Sequence, residues 1–435
     1  MSFAVRPTLD RSRFLAHLSQ LISLADKLQN APAAGLLPRE RLAAETVLER
    51  LAPHLHSGRL VVRELAAPGC EDRPSLVITL PGTEPRILGL VGAHFDVVPA
   101  DRQSEGWHTD PFRLIVDSDG TLRGRGVTDC LGHVALLTEM LRVLAERPEL
   151  RLPTVMVVLI ANEEEAEIAG VGLPYVVEQG CLEPLRRGSL FWLDSADFGP
   201  TLGTGGIAMW EIEACGVGGH SGMPHNCVNA LELATAAATA LGRWFHERYP
   251  AHRDEARWRF ASPSSFKMTT CHCANQKITM IPSSAHVQGD VRLTPFYDMG
   301  QVWSALVDEV HRLDTELGLG HQLPGFPRTR TSDGRTGSIR ISSRGRSMEG
   351  IACDLNSRGL AALNLALETV RGKESLRPWS MTGSLPLVAD LQRHGFDVQI
   401  TGFGESASYH APNEQGKLTD FEDGFAVLWE LVTRW

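Results

Sequence analysis

Eight cysteines are scattered through 435 residues without a paired spacing, and no charged-then-apolar leader with a small-residue cleavage site opens the chain. A disulfide scaffold is therefore excluded, and a reducing, cytoplasmic setting is expected. No apolar run reaches the ~18 residues that cross a bilayer, so no membrane span is expected. Low-complexity segments and internal repeats at a fixed period are also missing. Positive charge is in short supply: 42 Lys and Arg face 52 Asp and Glu, for a net charge of -10. A nucleic acid or an anionic membrane rewards a basic face and is not the expected partner; a small molecule or a peptide is. One local exception runs from Arg328 to Arg346, six arginines in nineteen residues against the single acid Asp333. Its Gly/Ser-rich setting reads as a solvated loop and an edge strand.

What is present is enough apolar material for two cores. A chain of 435 residues with 43% hydrophobic residues exceeds one ordinary core. From about 58 to 205, apolar runs alternate with helical stretches, the pattern of an α/β layer with a substantially parallel sheet. SLVITL, RILGLVGA, TVMVVLIA and SLFWLD read as strands. Ahead of them, Phe14, Leu18, Leu21, Ile22, Ala25 and Leu28 recur at helical spacing behind Asp10, a candidate cap. A long Ala/Leu-rich helix is expected over about 227 to 248, strands at KITMIP and HVQGDVRLTP, a helix at 298 to 318 and strands near 338 to 355. This is a smaller α+β layer inserted in the first domain. A helix from Ser357 and the strand DVQITGF return to the larger one. The expected division is 1–205 with 356–435, and 206–355 between them.

LIANEEEAEI places Glu163, Glu164, Glu165 and Glu167 within five positions directly after an apolar run. Two carboxylates ~6 Å apart at an effective dielectric of ~20 repel by roughly 3 kcal/mol. Such a cluster is either a solvated helix start or the companion of a cation. Other polar groups end strands in the same layer: His94 and Asp96 in GAHFDVV, and Asp194 in WLDSAD. Ligands of open α/β sheets bind at the carboxyl ends of strands. His94 and Asp96, two apart, point to one side, and Asp96 is expected to fix the imidazole tautomer. Asp129 in GRGVTDCLG stands at a helix mouth, where an N-cap role alone would account for it. His410 in SYHAPNE joins the set near the C-terminus. Two histidines and three carboxylates are a ligand set suited to a pair of divalent ions such as zinc.

The combination GAHFDVVP, WHTDPF, GRGVTDCLG, ANEEE, GGHSGMPH and YHAPNE resembles the dinuclear zinc deacylases and exopeptidases, a family that includes acetylornithine deacetylase, succinyl-diaminopimelate desuccinylase, aminoacylase and carboxypeptidase G. GTGG, GDVRLTPFYD, TGSLPLVADLQ and FDVQITGFG are similar to its eukaryotic-type acetylornithine deacetylases. The resemblance implies a zinc-peptidase-like α/β catalytic domain with a mixed, largely parallel sheet flanked by helices, and an inserted α+β lid domain that forms a homodimer. It implies two zinc ions, with cobalt able to substitute. Asp129 would bridge them, His94 and Asp194 would complete one site, and Glu164 and His410 the other. Glu163 would be the general base and Asp96 would orient His94. His220 would reach the reaction from the partner subunit, Arg292 would grip the substrate carboxylate and Gly383 would contact substrate. The resemblance also implies a cis peptide at Asp129–Cys130. The implied activity is hydrolysis of the amide of an N-acyl amino acid, N2-acetyl-L-ornithine first, with N-acetylcitrulline, succinyl-diaminopimelate or a dipeptide as alternatives.

Two positions depart from the pattern. Thr279 in KITMIP stands where relatives have Asn, with Asn275 a candidate replacement, and Cys130 follows the implied bridging aspartate as a ligand or a packed residue. Several signals carry no chemistry. GRGVTD has Asp129 where a dinucleotide loop needs its third Gly. GGHSGM and GESAS lack the final Gly of a nucleophile elbow. Cys271-His272-Cys273 is too tightly spaced to wrap one zinc. His108 and His225 fit structural roles as readily as chemical ones. A catalytically silent binding relative would lack a ligand or the base, and neither is missing.

Overall fold

The computed structural model describes residues 6–103, 106–165, 168, 170–273 and 277–435. The chain divides into two compact units, one formed by residues up to Leu202 with Cys353–Trp379 and Pro386–Trp435, the other by Gly203–Ala352 with Ser380–Leu385. Ser380–Leu385, which the sequence expectation assigned to the first domain, groups with the second.

The first unit carries an eight-stranded sheet in the order Val61–Leu65, Ser75–Leu80, Thr154–Ile160, Ile87–His94, Ser189–Trp192, Asp397–Ile400, Thr201–Gly203, Trp379–Ser380. Its four central strands, from Thr154–Ile160 to Asp397–Ile400, are parallel, and Ser75–Leu80 joins them antiparallel. Ile87–His94 and Thr154–Ile160 are buried almost throughout, as parallel strands covered on both faces must be. That burial is why SLVITL, RILGLVGA, TVMVVLIA and SLFWLD are continuous apolar runs. The helix Arg11–Leu24 starts at Asp10, whose carboxylate accepts from Arg13 N at 3.1 Å, and buries Phe14, Leu18, Leu21 and Ile22. The helix Leu131–Ala145 is buried over nearly every residue. Among the described residues no helix is long and apolar enough to cross a membrane.

The second unit holds a four-stranded antiparallel sheet, Ser265–Cys273, Ser284–Leu293, Gly206–Cys215 and Ser338–Met348 in that order. Residues of Ser284–Leu293 alternate strictly: Ala285, Val287, Val291 and Leu293 are buried, and His286, Gln288, Asp290 and Arg292 face outward. The helices Ala230–Arg248 and Met299–Gly318, capped by Asn229 and Asp298, contribute Leu233, Leu241, Val302 and Leu306 to its core. Two expectations are corrected here. The nine-residue strand Ser265–Cys273 was not foreseen, because it is a sheet edge on which only Phe266 is buried and no alternation marks it. KITMIP supplies only Met280–Ile281, which pairs with Gly219–His220. The Arg-rich stretch includes the opposite edge, where Arg340 meets Glu213. Asn275 lies outside the described residues.

Candidate metal centre

The parallel strands deliver their polar ends to one place. Ile87–His94 ends in the histidine itself; Glu163 and Glu164 follow Ile160, and Asp194 follows Trp192. Just before His94 the register with Thr154–Ile160 shifts, at Gly92. Gly92 has φ +105°, and a Cβ there would lie 2.6 Å from the Trp192 ring. Only glycine combines that backbone with that approach.

Asp129 sits between two histidines. Its Oδ1 is 3.1 Å from His94 Nε2 and its Oδ2 is 3.1 Å from His410 Nε2, which is also 3.2 Å from Glu164 Oε2. His94 Nε2 lies 3.9 Å from Asp194 Oδ1 and 4.0 Å from Glu163 Oε2. Asp129 does not cap the following helix, as its sequence position allowed: Cys130 occupies the cap, without a side-chain bond, and the Asp129 carboxylate is left for the cluster. The Asp129–Cys130 peptide is cis.

Electrostatics mark the cluster as a place that wants positive charge. Burial, then Asp194, raises Glu163 well above its ordinary value. Burial with Asp129 raises Glu164 to about 7, and burial opposed by His94 leaves Asp194 at about 7. Burial alone would lower His94, but Cys130, Asp129, Asp96 and Asp194 outweigh it. Asp129 and Glu164 raise His410 to about 11. Protons are standing in for cations here. The buried oxygens Glu163 Oε1 and Glu164 Oε1 have no hydrogen-bond partner among the described residues, a cost of ~1–3 kcal/mol each that a cation removes. Ligand atoms of His94, Asp129 and Glu164 lie within 4.8 Å of one another, as do those of His94, Cys130 and Asp194. Metal ions fit this donor set. Cys130 fits it less well, because burial raises its thiol well above the ordinary value and its Sγ is 3.6 Å from the Leu193 carbonyl.

Asp96 lies against His94, and the shorter of its two contacts with the imidazole is made by the main chain. His94 Nδ1 is 2.9 Å from the main-chain carbonyl of Asp96 and 3.5 Å from its carboxylate. The carboxylate also accepts from Glu163 N at 3.1 Å, Glu164 N at 3.0 Å and Asn30 Nδ2 at 2.8 Å. The expected helix start is displaced: Glu164 and Glu165 lie in a turn, and the next helix is Leu173–Glu178. Glu167 lies outside the described residues.

Glu414, quoted within YHAPNE but given no task, is fully buried and accepts from Gly126 N, Thr128 N, Asp129 N and Arg125 Nη1 at 2.9–3.0 Å. It holds the loop that carries Asp129, while Arg125 stacks on Trp107. His133 is a satisfied core residue, bonded to Thr128 O and Phe403 N. The main-chain N–H of His108 donates to Asn413 Oδ1.

His220, Arg292 and Gly383 belong to the second unit. His220 is exposed and accepts from Gly222 N through Nδ1 at 3.0 Å. Arg292 lies 3.5 Å from Asp290, and the Gly383 carbonyl accepts from Gly205 N at 2.8 Å. Thr279 accepts from Ser221 N through its carbonyl, beside His220.

A protein-family comparison matches residues 90–434 to Peptidase family M20/M25/M40. The chain belongs to this family. It is a metallo-hydrolase similar to two curated relatives, the acetylornithine deacetylases of Dictyostelium discoideum and Arabidopsis thaliana. They are 39% identical over 436 and 433 residues, covering 97% and 98% of this chain and 96% of each relative. Family membership implies metal ions, and His94, Asp129 and Glu164 are candidate ligands. Among solved structures, human carnosine dipeptidase 1 superposes with a TM-score of 0.65 at 18% identity, covering 98% of this chain and 97% of its own. The Saccharomyces cerevisiae dipeptidase Dug1p gives 0.68 at 15%, covering 97% and 95%. At these identities the likeness establishes the family fold.

Proposed function

We propose that the protein hydrolyses the amide bond of an N-acyl amino acid, with N2-acetyl-L-ornithine the substrate of choice and ornithine and acetate the products. The observation that carries this reading is the Asp129 carboxylate facing His94 with one oxygen and His410 with the other, at 3.1 Å each. Nearly full-length similarity to two acetylornithine deacetylases supports the substrate. N-acetylcitrulline, succinyl-diaminopimelate and dipeptides are the competing substrates of the same site.

Asp129 would bridge two zinc ions, or cobalt in their place, with His94 and Asp194 on one side and Glu164 and His410 on the other. When bound, the ions supply Lewis acidity toward the amide carbonyl and ease ionisation of water to pH ~7. Glu163 takes the proton of the attacking water and returns it to the leaving amine nitrogen. Its Oε2 lies 4.0 Å from His94 Nε2, at the edge of the ligand set. Asp96 holds the main chain of Glu163 and Glu164. Arg292 binds the substrate carboxylate, a contact that a planar guanidinium makes well, and Gly383 lets the substrate approach the backbone. His220 of the partner subunit donates to the oxyanion, so the active form is a homodimer joined through the second unit. The eight free cysteines support a reducing, cytoplasmic setting.

A panel of N-acyl amino acids assayed with added zinc or cobalt tests the substrate class. Hydrolysis of acetylornithine above the rest is expected, and no hydrolysis of any member by metal-loaded protein refutes the class. Glu163→Gln is expected to keep its metals and lose ~3 orders of magnitude in turnover. Surviving activity removes Glu163 as the base.

A further inference from the structure

Three consecutive main-chain N–H groups at the carboxyl end of Thr154–Ile160 are captured by two buried carboxylates. Glu163 N and Glu164 N donate to Asp96, and Asn162 N donates to Glu40 Oε1 at 3.2 Å. Asn162 has φ +59°, a conformation uncommon outside glycine. Its side-chain oxygen accepts from Asn30 Nδ2 at 3.2 Å, and the same Nδ2 is 2.8 Å from Asp96 Oδ2. Glu40 is in turn gripped by Arg73, with Nη2 2.7 Å from Oε1 and Nε 3.0 Å from Oε2. Glu40 is 0% exposed and Arg73 6%.

A buried ion pair of this kind adds little net stability over an apolar pair of the same volume. Its consequence is geometric. Arg73 fixes the Glu40 carboxylate, Glu40 fixes the Asn162 amide, and the left-handed turn at Asn162 sets where the next two side chains leave the backbone. Gly172 closes the arrangement from the other side: a Cβ there would fall 2.1 Å from the Ala161 carbonyl.

We propose that Glu40 is a positioning residue for amide hydrolysis, acting as the hydrogen-bond acceptor, held by Arg73, that sets the Asn162 turn and thereby aims Glu163 at substrate and Glu164 at metal. The inference rests on the roles given above to Glu163 and Glu164. Glu40 touches neither substrate nor ligand atoms, so it acts on turnover through geometry. A displacement of ~1 Å at reacting groups costs up to ~100-fold.

Two variants test it on the full-length, zinc-loaded protein, with Glu163→Gln in parallel. Glu40→Asp keeps the charge and withdraws the acceptor by one methylene. It is expected to lower kcat about 10–100-fold with KM and zinc content unchanged. The double variant Glu40→Gln/Arg73→Met removes both charges and keeps an acceptor for Asn162 N; it is expected to retain most of the wild-type kcat. Wild-type kcat in folded, zinc-loaded Glu40→Asp overturns the proposal. So does a double variant that folds, binds zinc and has lost turnover, and this second result decides the matter if Glu40→Asp does not fold. If Glu163→Gln keeps activity, the assignment of the base has failed. If it is inactive while Glu40→Asp is normal, only the positioning role has failed.

Discussion

His94 Nδ1 lies 2.9 Å from the main-chain carbonyl of Asp96, nearer than the 3.5 Å to the Asp96 carboxylate. A carbonyl can only accept, so Nδ1 is the donor and Nε2 is free to face Asp129. The tautomer therefore survives loss of the Asp96 carboxylate. Asp96→Asn is expected to leave His94 in place but to set an N–H against donors that now meet an oxygen. Turnover should fall ~10–100-fold, with the larger part of the loss in kcat. Steady-state kinetics with zinc content measured on the same samples checks this; a variant with unchanged kcat contradicts it.

Metal removal should make stability depend on pH with a definite sign. In the metal-free protein Glu164 and Asp194 are raised to about 7 and His410 to about 11. All three lie above their ordinary values, so the folded state holds protons that the unfolded chain has released. Stability from these groups is complete at low pH and lost as pH rises, through about 7 for the carboxylates and from 6.5 upward for His410. Burial lowers His17 to about 3, which acts oppositely but only below 6.5. Chelator-treated protein should thus melt lower at about pH 8 than at about pH 6.5, and zinc should restore more at the higher pH. Thermal unfolding with and without zinc at both values is the measurement.

Tyr409 carries a buried hydroxyl with no hydrogen-bond partner among the described residues. Burial, then Asp194 and Asp129, raises it well above the ordinary phenol value. Tyr409→Phe removes that unsatisfied group and should stabilise the fold by about 1 kcal/mol. Activity should move the other way, because the hydroxyl lies close enough to Asp194 and Asp129 to feel their charge. A paired reading of melting temperature and kcat tests this, and a variant that is both less stable and fully active refutes it.

Gly92→Ala places a methyl group against the Trp192 ring in a backbone at φ +105°. The expected cost is ~1–3 kcal/mol, accompanied by weaker zinc binding because His94 ends the same strand. Urea unfolding and a zinc titration report the two effects separately.

The chain showed its central strands plainly, since strands buried on both faces must be apolar at every position. It showed the cluster less directly. His94, Asp129, Glu163, Glu164, Asp194 and His410 were legible as a set because each ends or follows a strand or opens a turn. Glu40, Arg73 and Asn30 were not, because a buried ion pair and a lone amide have no local pattern; their meaning exists only where Asn162 N meets Glu40 and Asn30 bridges Asn162 to Asp96. The edge strand Ser265–Cys273 was hidden for the opposite reason, having too little burial to imprint a period.

Glu414 reaches back to the amides of Gly126, Thr128 and Asp129, and His410 stands beside it in sequence. Both lie beyond every other member of the cluster in chain order. Without that segment the Asp129 loop has no clamp, and Asp129 faces one imidazole in place of two. Loss of that one segment would therefore disable the cluster twice, removing an imidazole that faces Asp129 and the support beneath the Asp129 loop.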